Sequence, residues 1–135
     1  MLARTDSFAV TDRRGFDAEI KQTARKGLFI GSGMSSRNWN SLSANGVTHV
    51  LNAAPSVETC FFADKLTYCN VDLLDSPAQK IDFVKTNTFI SGALREGGKV
   101  LVHCHAGTSR AVTICAGFLI VHMGMTRASA FDSLS

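Results

Sequence analysis

The sequence predicts an α/β fold, with a central, mainly parallel, twisted sheet covered by helices on both faces. Three observations predict it. Short apolar, β-branched segments alternate with longer segments of helical character, as in a parallel sheet built through helical crossovers. One of these segments, KVLVH (Lys99–His103), is a continuous apolar run of the kind buried on both faces. Glycines at 46, 97 and 98 punctuate the changes from helix to strand.

Taken in order, residues 1–24 are weakly patterned and are expected to form an arm or a short helix around FDAEIKQTA, leaving one domain over 25–135. GLFIGS (27–32) reads as a short buried strand ending in glycine turns. MSSRNWNSLSANG reads as a helix with Ser35 or Ser36 as N-cap and Gly46 as its left-handed stop. VTHVLNAA is β-branched and reads as a strand, and LTYCNVDLL as another. DSPAQKIDFVKTNTFISGALREGG reads as a helix with Pro77 near its start, where a missing N–H does no harm. Phe83, Ile90 and Leu94 share one of its faces. After KVLVH, the connection CHAGTS leads into RAVTICAGFLIVHMG, which is apolar on most sides and is expected to lie in the core. Thr126 is the expected N-cap of a last helix, RASAFDSLS.

Composition narrows the function. The 135 residues suit one domain, and 45% hydrophobic with 19% charged residues is ordinary for a folded chain. No apolar run approaches the ~18 to 20 residues that span a bilayer, so no membrane is expected. The polar, mixed-charge N-terminus does not read as a secretory signal. A net charge of +3 is too small to argue for nucleic acid but suits a small anionic substrate. The four cysteines include no Cys-x-x-Cys pair, which argues against a zinc knuckle. Reduced thiols in the cytoplasm, or else the nucleus, are therefore the expectation. Cys60, Cys69 and Cys115 read as small buried or half-buried packing residues.

Cys104 needs a separate account. In VHCHAGTSRA (Val102–Ala111) a thiol lies between two imidazoles, and an arginine follows after five residues. The stretch joins a buried strand to a buried helix, and in such sheets ligands bind outside the carboxyl ends of the strands. A helix N-terminus there offers free N–H groups and a positive dipole end, which is an anion site. Gly107 lets successive N–H groups converge. Arg110 adds a planar fork of donors suited to a tetrahedral oxyanion. The same positive field favours the thiolate form of Cys104. A thiolate at the floor of an oxyanion cradle is a nucleophile aimed at phosphorus.

The segment VHCHAGTSRAVTICAGFLI resembles the His-Cys-x5-Arg signature of cysteine-dependent protein phosphatases. It is most similar to the dual-specificity group, whose loop commonly reads V-H-C-x-A-G-x-S-R-S. Val102, His103, Cys104, Ala106, Gly107, Ser109, Arg110 and Thr113 match, and Ala111 departs from the usual serine. LFIGSGMSSRNWNSLSANGVTHVLNAA also resembles that group's opening strand–helix–strand. The resemblance covers residues from about 27 onward. It implies a protein-tyrosine-phosphatase-like fold whose C-terminal helices are incomplete, because the chain stops at Ser135 inside its last expected helix. Phe131 and Leu134 are then expected to be under-buried, favouring self-association through the short C-terminus.

The resemblance also implies roles. Cys104 attacks phosphorus, and Arg110 with the N–H groups of His105, Ala106, Gly107, Thr108 and Ser109 holds the phosphoryl oxygens. Ser109 donates to the Cys104 sulfur and helps it leave. His103 orients the loop, while His105 either lines the pocket mouth or faces solvent. A general acid is needed for the leaving oxygen. The family's Y-x-x-[IV]-x-x-x-D spacing starts at Tyr68 and ends on Asp75, with Asp72 as the runner-up; a turn or capping aspartate is the plain alternative. No metal or cofactor is required. The implied substrate is a phosphoprotein carrying phosphotyrosine and phosphoserine or phosphothreonine. Phosphoinositides or RNA 5′-phosphates are a weaker reading, because the loop has no lysine between Cys104 and Arg110. A non-catalytic phosphopeptide-binding module is weaker still, because such relatives usually lose the nucleophile.

Overall fold

The computed structural model describes residues 20–71, 81–105 and 109–135. Five strands form one sheet: β1 (Lys21–Gln22), β2 (Leu28–Gly31), β3 (His49–Asn52), β4 (Thr67–Asn70) and β5 (Val100–His103). Their spatial order is β1-β2-β5-β3-β4. β5 lies parallel between β2 and β3, β4 runs parallel to β3, and β1 is antiparallel at the edge. The last strand in sequence thus enters the centre of the sheet, and the loop that follows it opens where β2 and β3 both end.

Alternation along the strands sorts the core into two layers. Leu28, Ile30, Leu51, Val100 and Val102 face one side. There they pack against α3 (Phe83–Arg95), α4 (Ser109–Met123) and α5 (Arg127–Ser133). Phe29, Val50 and Leu101 face the other side and meet Leu42, Val47 and Leu66, with Trp39, Phe62 and Tyr68 half-buried around them. Two short helices, α1 (Gly33–Ser36) and α2 (Trp39–Ala44), join β2 to β3. All four β5 residues are fully buried, as the run of apolar residues predicts. Burial of a Val or Leu side chain is worth about 1.5–3 kcal/mol, so the strand that carries the site is firmly held.

Several expectations need correction. The segment after β2 is two helices, not one. Ser32, rather than Ser35 or Ser36, is the first N-cap: its hydroxyl accepts from Ser35 N–H at 3.3 Å, and Ser35 Oγ accepts from Ser32 N–H at 3.0 Å. Asn38 then starts a second helix by accepting from Ser41 N–H at 3.2 Å. Short polar side chains compete for backbone donors in this way and interrupt a helix. Gly46 does take the left-handed conformation after α2, with φ +71°.

α3 begins at Phe83, capped by Asp82, whose carboxylate accepts from Lys85 N–H at 3.1 Å. Pro77, expected near its start, lies outside the described residues. Ile90 is buried and Leu94 packs half-buried beside it as expected, whereas Phe83 is 37% exposed. α4 is buried along Ala111, Ile114, Cys115, Phe118 and Leu119, but Val121 and Met123 in its last turn are exposed. An apolar sequence therefore does not carry the whole helix into the core. Lys21 and Gln22 form an edge strand on β2, not a helix.

At the C-terminus, Thr126 caps α5 as predicted. The predicted apolar exposure is not found: Leu134 is 6% exposed, and Phe131 packs half-buried against the same layer. α5 folds back and brings Ala130 and Leu134 to the core.

Candidate active site

β5 delivers its end residues to the carboxyl edge of the sheet. His103 is level with Gly31 of β2 on one side and Asn52 of β3 on the other. Cys104 follows and is 3% exposed. α4 starts at Ser109, so Arg110 lies in its first turn. The structure thus brings Cys104, His103, His105 and Arg110 to one edge. Ala106, Gly107, Thr108, Asp72, Asp75 and the side chain of Ser109 lie outside the described residues.

Neighbouring loops hold these residues from several sides. Arg110 Nη1–H donates to the Ala53 carbonyl at 3.4 Å, and Ala53 N–H donates to the His103 carbonyl at 2.9 Å. The loop after β3 is shaped by Asn52, which is fully buried. Its Oδ1 accepts from Ala54 N–H and its Nδ2 donates to the Glu58 carbonyl, both at 2.9 Å. Gly33 N–H, at the start of α1, donates to the His105 carbonyl at 2.9 Å.

The two histidines differ. His103 is fully buried, its Nδ1–H donates to the Cys104 carbonyl at 3.2 Å, and its Nε2 has no hydrogen-bond partner. Burial chiefly lowers its pKa below the ordinary 6.5, with the bond to Cys104 and the charge of Glu58 opposing more weakly. The ring is therefore neutral at pH 7 and suits an orienting role. His105 is exposed, one of the two placements expected, and it also has a partner. Its Nδ1–H donates at 2.6 Å to the buried carboxylate of Glu58, which also meets Arg37 at 3.6 Å.

The His103 environment predicts a pH dependence of stability. The unfolded chain takes up a proton near pH 6.5 that the folded ring resists. The contribution is complete above that pH and is lost as pH falls below it, by up to about 1.4 kcal/mol at pH 5.5. The expected result is a larger drop in thermal midpoint between pH 7.5 and 5.5 for the parent than for His103→Gln. Equal drops would show that His103 is not the linked group.

The other thiols behave as packing residues. Cys115 is fully buried, and burial together with nearby Cys104 pushes its pKa far up, which keeps it a neutral thiol. Burial also raises Cys69. Cys60 Sγ–H donates to Asn70 Oδ1 at 3.2 Å. Among the described residues, no group of three or more His, Cys, Asp or Glu side chains could hold a metal ion, and no helix is long and apolar enough to cross a membrane.

Sequence reasoning missed Glu58, Arg37, Gly33 and Asn52. Glu58 sits 47 positions before His105, too far for a local signal to link them.

Comparison with known proteins places the fold in a family. Residues 28–135 match the family model for the dual specificity phosphatase catalytic domain. The chain is 36% identical over 118 residues to dual specificity protein phosphatase 1 of Arabidopsis thaliana, covering 86% of this chain and 59% of that protein. It is 34% identical to the serine/threonine/tyrosine-interacting protein of Mus musculus, over 82% of this chain and 53% of that one. The chain thus spans little more than half the length of these relatives. Among solved structures, the human tyrosine phosphatase-like serine/threonine/tyrosine-interacting protein superposes with a TM-score of 0.79 at 30% identity, covering 87% of this chain and 82% of that one. A mouse putative dual specificity phosphatase complexed with zinc tungstate gives 0.76 at 27% identity, over 82% and 70% of the two chains.

Proposed function

The chain belongs to the dual specificity phosphatase family, and from that premise we propose that it hydrolyses phosphotyrosine and phosphoserine or phosphothreonine in proteins through a cysteinyl-phosphate intermediate. The observation that carries this reading is Cys104 at the carboxyl end of the central strand, with Arg110 in the first turn of the helix that follows. In this reading Cys104 attacks phosphorus and the P–O bond to the leaving group breaks. Arg110, with the backbone donors of residues 105–110, takes up the charge that spreads over the phosphoryl oxygens. The start of α4 adds its positive dipole end. The tungstate in the related mouse structure is a tetrahedral oxyanion like phosphate, which supports an oxyanion site of this kind. Ser109 assists the departure of the sulfur in the second step, when water attacks the cysteinyl-phosphate.

Asp75 is assigned as the acid that protonates the leaving oxygen and then, as a carboxylate, activates the water. The expected result is that Asp75→Asn slows turnover of an alkyl phosphate on the order of 10²-fold or more. An aryl phosphate with a good leaving group should be affected far less, and Asp72→Asn should stay near the parent on both. A larger loss in Asp72→Asn would transfer the role to Asp72.

Turnover of a small aryl phosphate by the parent tests the enzymatic reading directly. Binding without turnover would favour a phosphopeptide-binding module. Panels of phosphopeptides and inositol lipids then separate the protein substrate from the lipid one. The four free cysteines support a reducing compartment, the cytoplasm first and the nucleus second.

A further inference from the structure

We propose that Glu58 is a positioning residue that sets the attack geometry of Cys104 by holding His105, an inference that rests on the phosphatase reading above. Glu58 is a carboxylate whose side chain is 3% exposed, while its partners Arg37 and His105 keep 47% and 55% of their side-chain exposure. Burying a carboxylate costs several kcal/mol unless it is paired and hydrogen-bonded. Arg37 and His105 face solvent and could meet a carboxylate there, so they do not by themselves require the acid to be buried. The shortest of its contacts, 2.6 Å, goes to the residue directly after the nucleophile.

Both ends of this link are anchored to the sheet. The Glu58 carbonyl accepts from Asn52 Nδ2 at 2.9 Å, and Asn52 belongs to β3, beside β5. The His105 carbonyl accepts from Gly33 N–H at 2.9 Å while its ring is held by the carboxylate. His105 is thus fixed at main chain and side chain, and the peptide joining it to Cys104 cannot turn freely. Gly33 completes the fit: a Cβ at that position would overlap the Glu58 carboxylate. A side chain at position 33 would displace the carboxylate from its present place. The path runs from the sheet through Asn52, Glu58 and His105 to the backbone next to the thiol.

The consequence is kinetic. Misplacing a reacting group by ~1 Å can cost on the order of 10² in rate, and a group that acts only through alignment alters kcat more than KM. Removing one member of a buried pair is costly when the other is left buried, but here the groups left behind, Arg37 and His105, are both open to water. The test uses the parent chain and the variants Glu58→Met, His105→Leu, the double variant and Arg37→Met, with an aryl phosphate as substrate and the thermal midpoint as a check on folding. The expected result is a kcat loss of about tenfold or more in Glu58→Met with KM within about threefold. The Glu58→Met loss should vanish once His105 is Leu, and Arg37→Met should stay near the parent. If Glu58→Met does not fold, Glu58→Gln carries the same comparison, with a smaller loss that also vanishes beside His105→Leu. A kcat within threefold of the parent, losses that multiply in the double variant, or an equal loss in Arg37→Met would overturn the proposal. Absence of turnover in the parent would instead defeat the phosphatase reading, and this inference with it.

Discussion

Cys104→Ser is expected to abolish turnover while leaving oxyanion affinity close to that of the parent. The thiol and the cradle are separate devices. Cys104 lies at the buried end of β5, whereas the cradle is attributed to Arg110 and the backbone donors at the start of α4. A serine hydroxyl is nearly isosteric, so binding should persist. It is a far weaker nucleophile with no general base assigned to it, and kcat should fall on the order of 10⁴-fold or more. Rapid-quench measurement on an aryl phosphate, together with calorimetric titration of inorganic phosphate, checks both halves. A phosphate burst from the serine variant would remove Cys104 from the nucleophile's role. Loss of phosphate binding would show that the sulfur itself holds the oxyanion.

Arg110→Lys is expected to lower kcat by about 10³-fold, a loss of the size seen when a transition-state arginine is removed. Arg110 donates one N–H to the Ala53 carbonyl at 3.4 Å. That contact helps to fix the plane of the guanidinium, which in the proposed mechanism takes a paired, in-plane grip on the phosphoryl oxygens. Lysine preserves the charge but has neither the plane nor the paired donors. It cannot hold the Ala53 carbonyl and two phosphoryl oxygens in fixed directions together. The loss should fall on kcat more than on KM, because the contacts strengthen as charge spreads in the transition state. Near-parental kcat/KM in the lysine variant would show that charge alone suffices, and that the bidentate reading of Arg110 is wrong.

How far the sequence carries depends on the range of the interaction that sets each feature. The alternation of VLVH with its neighbours, the glycine stop at Gly46 and the cap at Thr126 are local, and all three appear in the structure. The break between α1 and α2 is local too, yet the helical pattern of MSSRNWNSLSANG does not show it. Ser32, Ser35 and Asn38 offer rival caps within seven positions, and which of them wins depends on the chain around them. The C-terminus errs for a different reason. Whether Leu134 is exposed depends on how α5 lies against α4, and that angle is not written in nine residues of helical pattern.

The sequence by itself determined the α/β class, the central buried strand, and the spacing of Cys104 and Arg110 on which the proposed chemistry rests. Those features depend on residues near one another in the chain, where periodicity, turn residues and motif spacing act directly. Only the tertiary structure decided what holds His105. The clamp on it comes from Glu58, Gly33 and Asn52, which lie on three segments brought to one edge because β5 inserts between β2 and β3. A carboxylate distant in sequence from its partner leaves no local pattern, and its burial exists only once the strands have taken their order.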